Sequence, residues 1–161
     1  MIDRDRILEL LARVKDPEIP VISVLELGVV RSVDVDGEGK VTVVITPTYT
    51  GCPAMDVMAA DIRAELLGAG VPAVDVQRTL SPAWSTDAIT EEGKRKLKAY
   101  GIAPPERTAD IRALKGAAPV VACPQCGSTD TIMLSAFGST ACKALWKCQD
   151  CLEPFDQFKC L

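Results

Sequence analysis

The chain has 161 residues, nearly half of them hydrophobic and a quarter charged, enough for one ordinary domain or a domain of about 100 residues with a small appendage. A formal net charge of −4 argues against a general nucleic-acid binder, because phosphate contact relies on lysine and arginine. The chain contains no histidine, which excludes Ser-His-Asp and Cys-His catalysis and leaves thiolates and carboxylates as metal ligands.

The N-terminal MIDRDRILELLARVKD alternates charge with apolar residues and lacks the apolar core of a signal peptide. No run approaches the length of a membrane span, so a cytoplasmic protein without a membrane partner is expected. Asp3 to Val14 reads as a helix, with Ile7, Leu10, Leu11 and Val14 on one face. Asp3 and Asp5 suit its N-terminus and Arg13 and Lys15 its C-terminus, and Pro17 stops it. Val29 to Asp36 and VTVVITPT read as antiparallel strands joined by the DGEG turn.

A helix is predicted from Pro53, with Met55, Met58, Ala59, Ile62 and Leu66 as its apolar stripe and Gly68 or Gly70 as its stop. AVDVQRTL gives a third strand, and ITEEGKRKLKAYG a short helix ending at Gly101. The order α-β-β-α-β implies a small α+β layer with a mixed sheet over residues 1 to 101. Residues 102 to 119, rich in alanine and proline, read as a linker.

Residues 120 to 161 carry six of the seven cysteines. CPQC and CQDC are Cys-x-x-Cys knuckles, which bring Cys123, Cys126, Cys148 and Cys151 onto one metal ion. The segment between them has two apolar runs about a Gly-Ser turn, and EPFDQFKC supplies a third strand. This is the pattern of a zinc ribbon, a module too small to fold on its core alone. Structural zinc is the expected metal, with rubredoxin-type iron or an iron–sulfur cluster as alternatives. The ribbon is not basic, which favours protein contact over nucleic acid. Trp146, Phe155 and Phe158 are either contact residues or its core. Cys142 and Cys160 are either buried hydrophobes or a second thiol pair.

Cys52 stands apart from the other cysteines, in TPTYTGCPAM. With a helix starting at Pro53 it would be the N-cap, facing unpaired N–H groups and the positive end of the dipole, an environment that favours thiolate. Gly51 permits close approach of a ligand or another chain. The alternative is a small buried cysteine beneath the helix. Asp16 has its own structural alternative, as a turn or cap residue after the first helix.

DPEIP (16 to 20), LELGVV (25 to 30) and TPTYTGCPAM together resemble the metal–sulfur cluster biosynthesis family, which includes SufT-like proteins. The continuation LSPAWSTDAITEEGKRKLKAYGIAPP and the four-cysteine ribbon resemble, more narrowly, the PaaD (PaaJ) family of subunits associated with the multicomponent phenylacetyl-CoA epoxidase. The resemblance implies that Cys52 is the reactive or cluster-handling thiol, with Asp16, Glu18 and Thr48 beside it and Thr50 orienting the loop. It also implies iron or a transient iron–sulfur cluster as cargo and the epoxidase subunits as partners; a homo-oligomer is a separate option that the sequence leaves open. The chain lacks the Glu and His set of a di-iron oxygenase and any phosphate-cradling glycine loop, so an accessory component is expected and no catalytic residue. Two rival readings are a docking subunit with an inert Cys52 and a thiol or redox enzyme using Cys52.

Overall fold

The computed structural model describes residues 2–105 and 120–159. They divide into two compact units, Met1–Gly93 and Lys94–Leu161, with the boundary inside a helix. Of the stretch read as a linker, residues 106–119 lie outside the described residues, whereas Ile102 and Ala103 form a short strand. Among the described residues no helix is long and apolar enough to cross a membrane.

The first unit opens with α1 (Arg4–Leu11). The Asp3 carboxylate accepts the Arg6 N–H at 2.8 Å, satisfying one of the unpaired donors of the first turn. Ile7, Leu10 and Leu11 are buried. The helix stops at Leu11, short of the expected Val14, so Arg13 and Lys15 lie beyond its last turn. Asp16 precedes proline and is steered out of helical geometry; Lys15 then bridges to Ser23 and the Asp16 N–H donates to the Ile22 carbonyl.

Strand β1 (Val30–Val35) pairs antiparallel with β2 (Val41–Ile45), which pairs parallel with β3 (Val74–Arg78). The Asp36 carboxylate accepts the Glu38 and Lys40 N–H groups and closes the β1–β2 turn. The parallel step needs a crossover, supplied by α2 (Ala54–Gly68), whose Met55, Met58, Ala59, Ile62 and Leu66 are buried. The predicted stripe is thus the buried face. Each of the buried Met, Ile and Leu side chains contributes about 1.5–3 kcal/mol.

This topology gathers three loops at one end of the sheet. They precede β1 and follow β2 and β3. The Thr46 N–H donates to the Val29 carbonyl at 2.8 Å, and the Thr79 N–H to the Ile45 carbonyl at 2.9 Å. The segment after β3 then straps the LELGVV loop. The buried Trp84 indole donates to the Leu27 carbonyl at 3.0 Å, and the Thr90 N–H to the Glu26 carbonyl at 2.9 Å. Gly28 adopts φ +74°, and a Cβ there would lie 2.2 Å from the Ala88 carbonyl oxygen.

In the second unit, α3 (Glu91–Ala99), which begins in the first, leads to β4 (Ile102–Ala103). Strands β5 (Thr131–Ser135), β6 (Lys143–Cys148) and β7 (Pro154–Phe158) form the predicted antiparallel hairpin and third strand. β4 adds to β7 in parallel, giving the order β4-β7-β6-β5. Ala103, Val121, Ala144, Trp146 and Phe155 share one small core with Cys123 and Cys148.

Gly28→Ala combines a left-handed backbone with a clash against a fixed carbonyl and is expected to destabilise the first unit by about 3 kcal/mol. Trp84→Phe, which loses one hydrogen bond and leaves a buried acceptor unpaired, is expected to cost about 1–2 kcal/mol. Denaturant titration of both variants checks the order.

Candidate metal and thiol sites

Cys52 lies in the loop after β2, at the sheet end where the three loops gather. α2 begins at Ala54 with Pro53 in the capping position, so Cys52 is one residue ahead of the N-cap expected of it. The reason is proline itself. Pro53 already has helical angles (φ −69°, ψ −22°) but no N–H to bond, so it opens the turn without entering the ladder. The Cys52 N–H donates to the Tyr49 carbonyl at 3.2 Å and its carbonyl accepts the Met55 N–H at 3.3 Å. Cys52 is only 9% exposed, while its neighbour Gly51 is exposed at φ +81° with open space where a side chain would stand.

Asp16, 6% exposed, has the turn role that its position allowed. Its Oδ1 accepts the N–H groups of Glu18 at 2.7 Å and Ile19 at 2.8 Å, folding DPEIP into a tight loop. The sequence did not foresee that Asp16 lines a cleft of about 530 Å³ with Arg13, Lys15, and Asp61 and Glu65 of α2. Glu18 and Thr48 are half-buried, and Thr50 is exposed. Thr46, just before the loop, is buried with its Oγ1 unpartnered among the described residues. Its position between an apolar strand and Pro47 was the available signal.

In the ribbon, the Sγ atoms of Cys123, Cys126, Cys148 and Cys151 lie within 4.8 Å of one another. Cys123 is 3.7 Å from Cys151, and Cys126 is 3.6 Å from Cys148. A tetrahedron with metal–sulfur bonds of about 2.3 Å has edges of about 3.8 Å, whereas a disulfide is about 2.05 Å. The sulfurs are therefore spaced for one tetrahedral metal ion and too far apart for disulfides.

The two knuckles repeat one construction. The Cys123 N–H donates to the Ser128 carbonyl at 2.8 Å, and the Cys148 N–H to the Glu153 carbonyl at 3.0 Å. The first cysteine of each pair is buried and the second exposed. A left-handed residue follows the second cysteine in both, Gly127 at φ +77° and Leu152 at φ +65°. The turn brings the N–H groups of Ser128 and Glu153 back toward Cys126 and Cys151. Ser128 also bonds Asp150 and so ties one knuckle to the other, a role that the sequence reading did not assign. The Gly-Ser after CPQC was its signal.

These sulfurs compete for protons. Backbone N–H donors, chiefly that of Cys151, with Asp150 and neighbouring thiols adding, bring Cys148 down to about 7 against the cost of its burial. At Cys151 the Glu153 N–H pulls downward, but burial and hydrogen bonds with Cys148, Cys123 and Cys126 prevail and push it up to about 12. Four adjacent thiols cannot all ionise unaided. A divalent cation removes the conflict by taking every thiolate at once.

Trp146, Phe155 and Phe158 are buried, so of their two readings the structure gives core packing. Cys142 is also buried, with its sulfur 3.0 Å from the Thr140 hydroxyl, while Cys160 lies outside the described residues.

Comparison with known proteins follows the same division. The model of the family described as iron-sulfur cluster assembly protein matches residues 4–78, and that of the PaaD zinc beta ribbon domain matches residues 107–159. A relative from Escherichia coli, whose name makes it a subunit of 1,2-phenylacetyl-CoA epoxidase, is 46% identical over 94% of this chain and 90% of its own. An Fe-S protein maturation auxiliary factor from Porphyromonas gingivalis is 40% identical over 56% of this chain and 87% of its own. Among solved structures, a DUF59 domain from Bacillus anthracis superposes with a TM-score of 0.54 at 25% identity, over 58% of this chain and 89% of that one. With a full-length relative and two family models that follow each other along it, the chain belongs to the PaaD family, an iron–sulfur cluster assembly domain joined to a PaaD zinc ribbon.

Proposed function

We propose that this chain is an accessory subunit or maturation factor of a phenylacetyl-CoA epoxidase, handling iron or an iron–sulfur cluster through Cys52. The observation that carries the reading is the coexistence of two different thiol sites in one chain of this family. One is a closed set of four cysteines. The other is a lone cysteine on a glycine-containing loop at the end of a sheet. A closed four-thiolate site suits a resident structural ion, which we assign as zinc held by Cys123, Cys126, Cys148 and Cys151.

Cys52 suits a cargo that arrives and leaves, because a soft ligand outside a closed shell binds iron or a cluster without trapping it. In this reading Asp16, Glu18 and Thr48 share the cargo site. A metal there would favour the deprotonated thiol and carboxylates together. The epoxidase subunits would receive the iron or cluster. Support comes from the relative named for the epoxidase, which matches 94% of this chain, and from the maturation auxiliary factor that matches 56% of it.

The carrier role and the docking role separate on one substitution. Cys52→Ser removes a soft ligand with little change in size, and the ribbon metal and assembly with the oxygenase are expected to survive. Oxygenase purified from cells carrying Cys52→Ser should contain less iron or cluster and show lower epoxidase activity, with Asp16→Asn giving a milder defect. Full iron loading and full activity with Cys52→Ser would leave the docking role as the correct account. Turnover of a small electrophilic substrate by the isolated protein, abolished in Cys52→Ser, would instead identify a thiol enzyme.

The ribbon ion has its own tests. One zinc per chain is expected, and Cys148→Ser should lose it and unfold the ribbon while the first unit still melts cooperatively. Metal uptake at neutral pH should release protons from Cys126 and Cys151, whose thiols are held above their ordinary range. Apparent affinity should therefore rise with pH, and fall further as pH drops through about 7, where Cys148 regains its proton. Metal analysis and proton release on zinc addition to the apo-protein measure both. Leu152→Gly should stabilise the ribbon by up to about 1 kcal/mol by relieving its left-handed backbone, partly offset by glycine's greater freedom when unfolded.

A further inference from the structure

Among the described residues Leu152 is the one non-glycine residue with a left-handed backbone, at φ +65°. That region brings Cβ against the following carbonyl oxygen, and leucine has no polar group to offset the strain with a local hydrogen bond. The first knuckle shows the relaxed solution, because its matching residue is Gly127 at φ +77°. The second knuckle therefore bears a backbone cost for the sake of a side chain. Folding recovers little of that cost, since Leu152 is 62% exposed and stands outside the ribbon core. Strain of this kind concentrates at functional positions.

The charges around Leu152 define what covers it. The knuckle tip from Gln149 to Pro154 is exposed throughout and carries Asp150 and Glu153, with no lysine or arginine. The exposed Asp130 borders the same tip, its carbonyl accepting the Gln149 N–H at 2.8 Å. Asp150 bonds Ser128 of the other knuckle, and the Glu153 carbonyl accepts the Cys148 N–H at 3.0 Å, so the tip is tied on both sides of Leu152. The result is an apolar knob on a tied loop in an acidic setting. Such a surface repels the phosphates of nucleic acid and of anionic lipid and attracts lysine and arginine. A leucine on a closed loop also has less freedom to lose when a partner buries it.

We propose that Leu152 anchors the ribbon on a protein partner, filling an apolar socket rimmed by lysine or arginine. The partner is an epoxidase subunit, an identification that rests on the reading above, and the docking does not depend on the chemistry assigned to Cys52.

Calorimetric titration of the metal-loaded full-length protein into oxygenase purified from cells that lack it is the primary test. The wild type should bind, and more weakly as salt rises. Leu152→Gly and Leu152→Asn suit a left-handed backbone, so both should keep the ribbon metal and melt no lower than the wild type. Both should nonetheless raise the dissociation constant by about tenfold or more. Lower affinity in proteins of undiminished stability is a result that a merely structural role for Leu152 does not produce. Glu153→Lys should also weaken binding and flatten its salt dependence, whereas Cys52→Ser should bind as the wild type does. Undiminished affinity in both Leu152 variants would overturn the docking and leave the identity of the partner standing. A wild type that does not bind the oxygenase would overturn it too, while the iron content of oxygenase from Cys52→Ser cells still decides the carrier role. A wild-type dimer, seen by sedimentation and dissolved by Leu152→Gly, would assign the knob to a second copy and overturn the proposal as well.

Discussion

Four sulfur atoms within 4.8 Å of one another are the constraint on which the second unit rests. Left as thiols and thiolates they resist one another: backbone N–H donors bring Cys148 down to about 7, while burial and the neighbouring thiols push Cys151 up to about 12. The backbone has nonetheless committed to the arrangement. Each knuckle closes on itself, turns a left-handed residue after its second cysteine, and aims N–H groups at sulfur. Even Leu152 accepts a conformation that favours glycine. Such geometry suits a cation at its centre, in keeping with the zinc beta ribbon model that matches residues 107–159.

The core around those sulfurs is small. Cys123 and Cys148 belong to the same small cluster as Trp146 and Phe155, so the metal shell and the hydrophobic core are one object. A module of this size cannot offset its conformational entropy with so few apolar side chains. The same shortage leaves β5 with apolar side chains facing solvent.

The first unit solves a different problem, placing a thiol at the end of a sheet without a ring of ligands. Parallel pairing of β2 and β3 forces a crossover, the crossover puts the start of α2 at that end, and Cys52 falls just before it. The strap from Thr79 to Thr90 fixes the neighbouring loop through Trp84 and the close contact at Gly28. Rigid strand ends carrying chemistry on loops are a recurrent division of labour in α/β layers.

The sequence by itself determined the element types, the mixed sheet, the ribbon hairpin and the four-cysteine set. Each rests on local periodicity, on cysteine spacing or on turn chemistry, and these act over a few residues. It also left both roles of Asp16 open, and the folded loop shows the turn hydrogen bonds without deciding the other. Tertiary structure alone decided what depends on distant partners. It ended α1 at Leu11, because the chain had to turn back and bridge to Ser23. It added β4 to the ribbon, where two residues are too few to show a period and only pairing with β7 defines them. It buried Trp146, Phe155 and Phe158, because a sheet this small needs every large side chain for its core. It also paired Trp84 with Leu27, a contact 57 residues apart that no local pattern encodes.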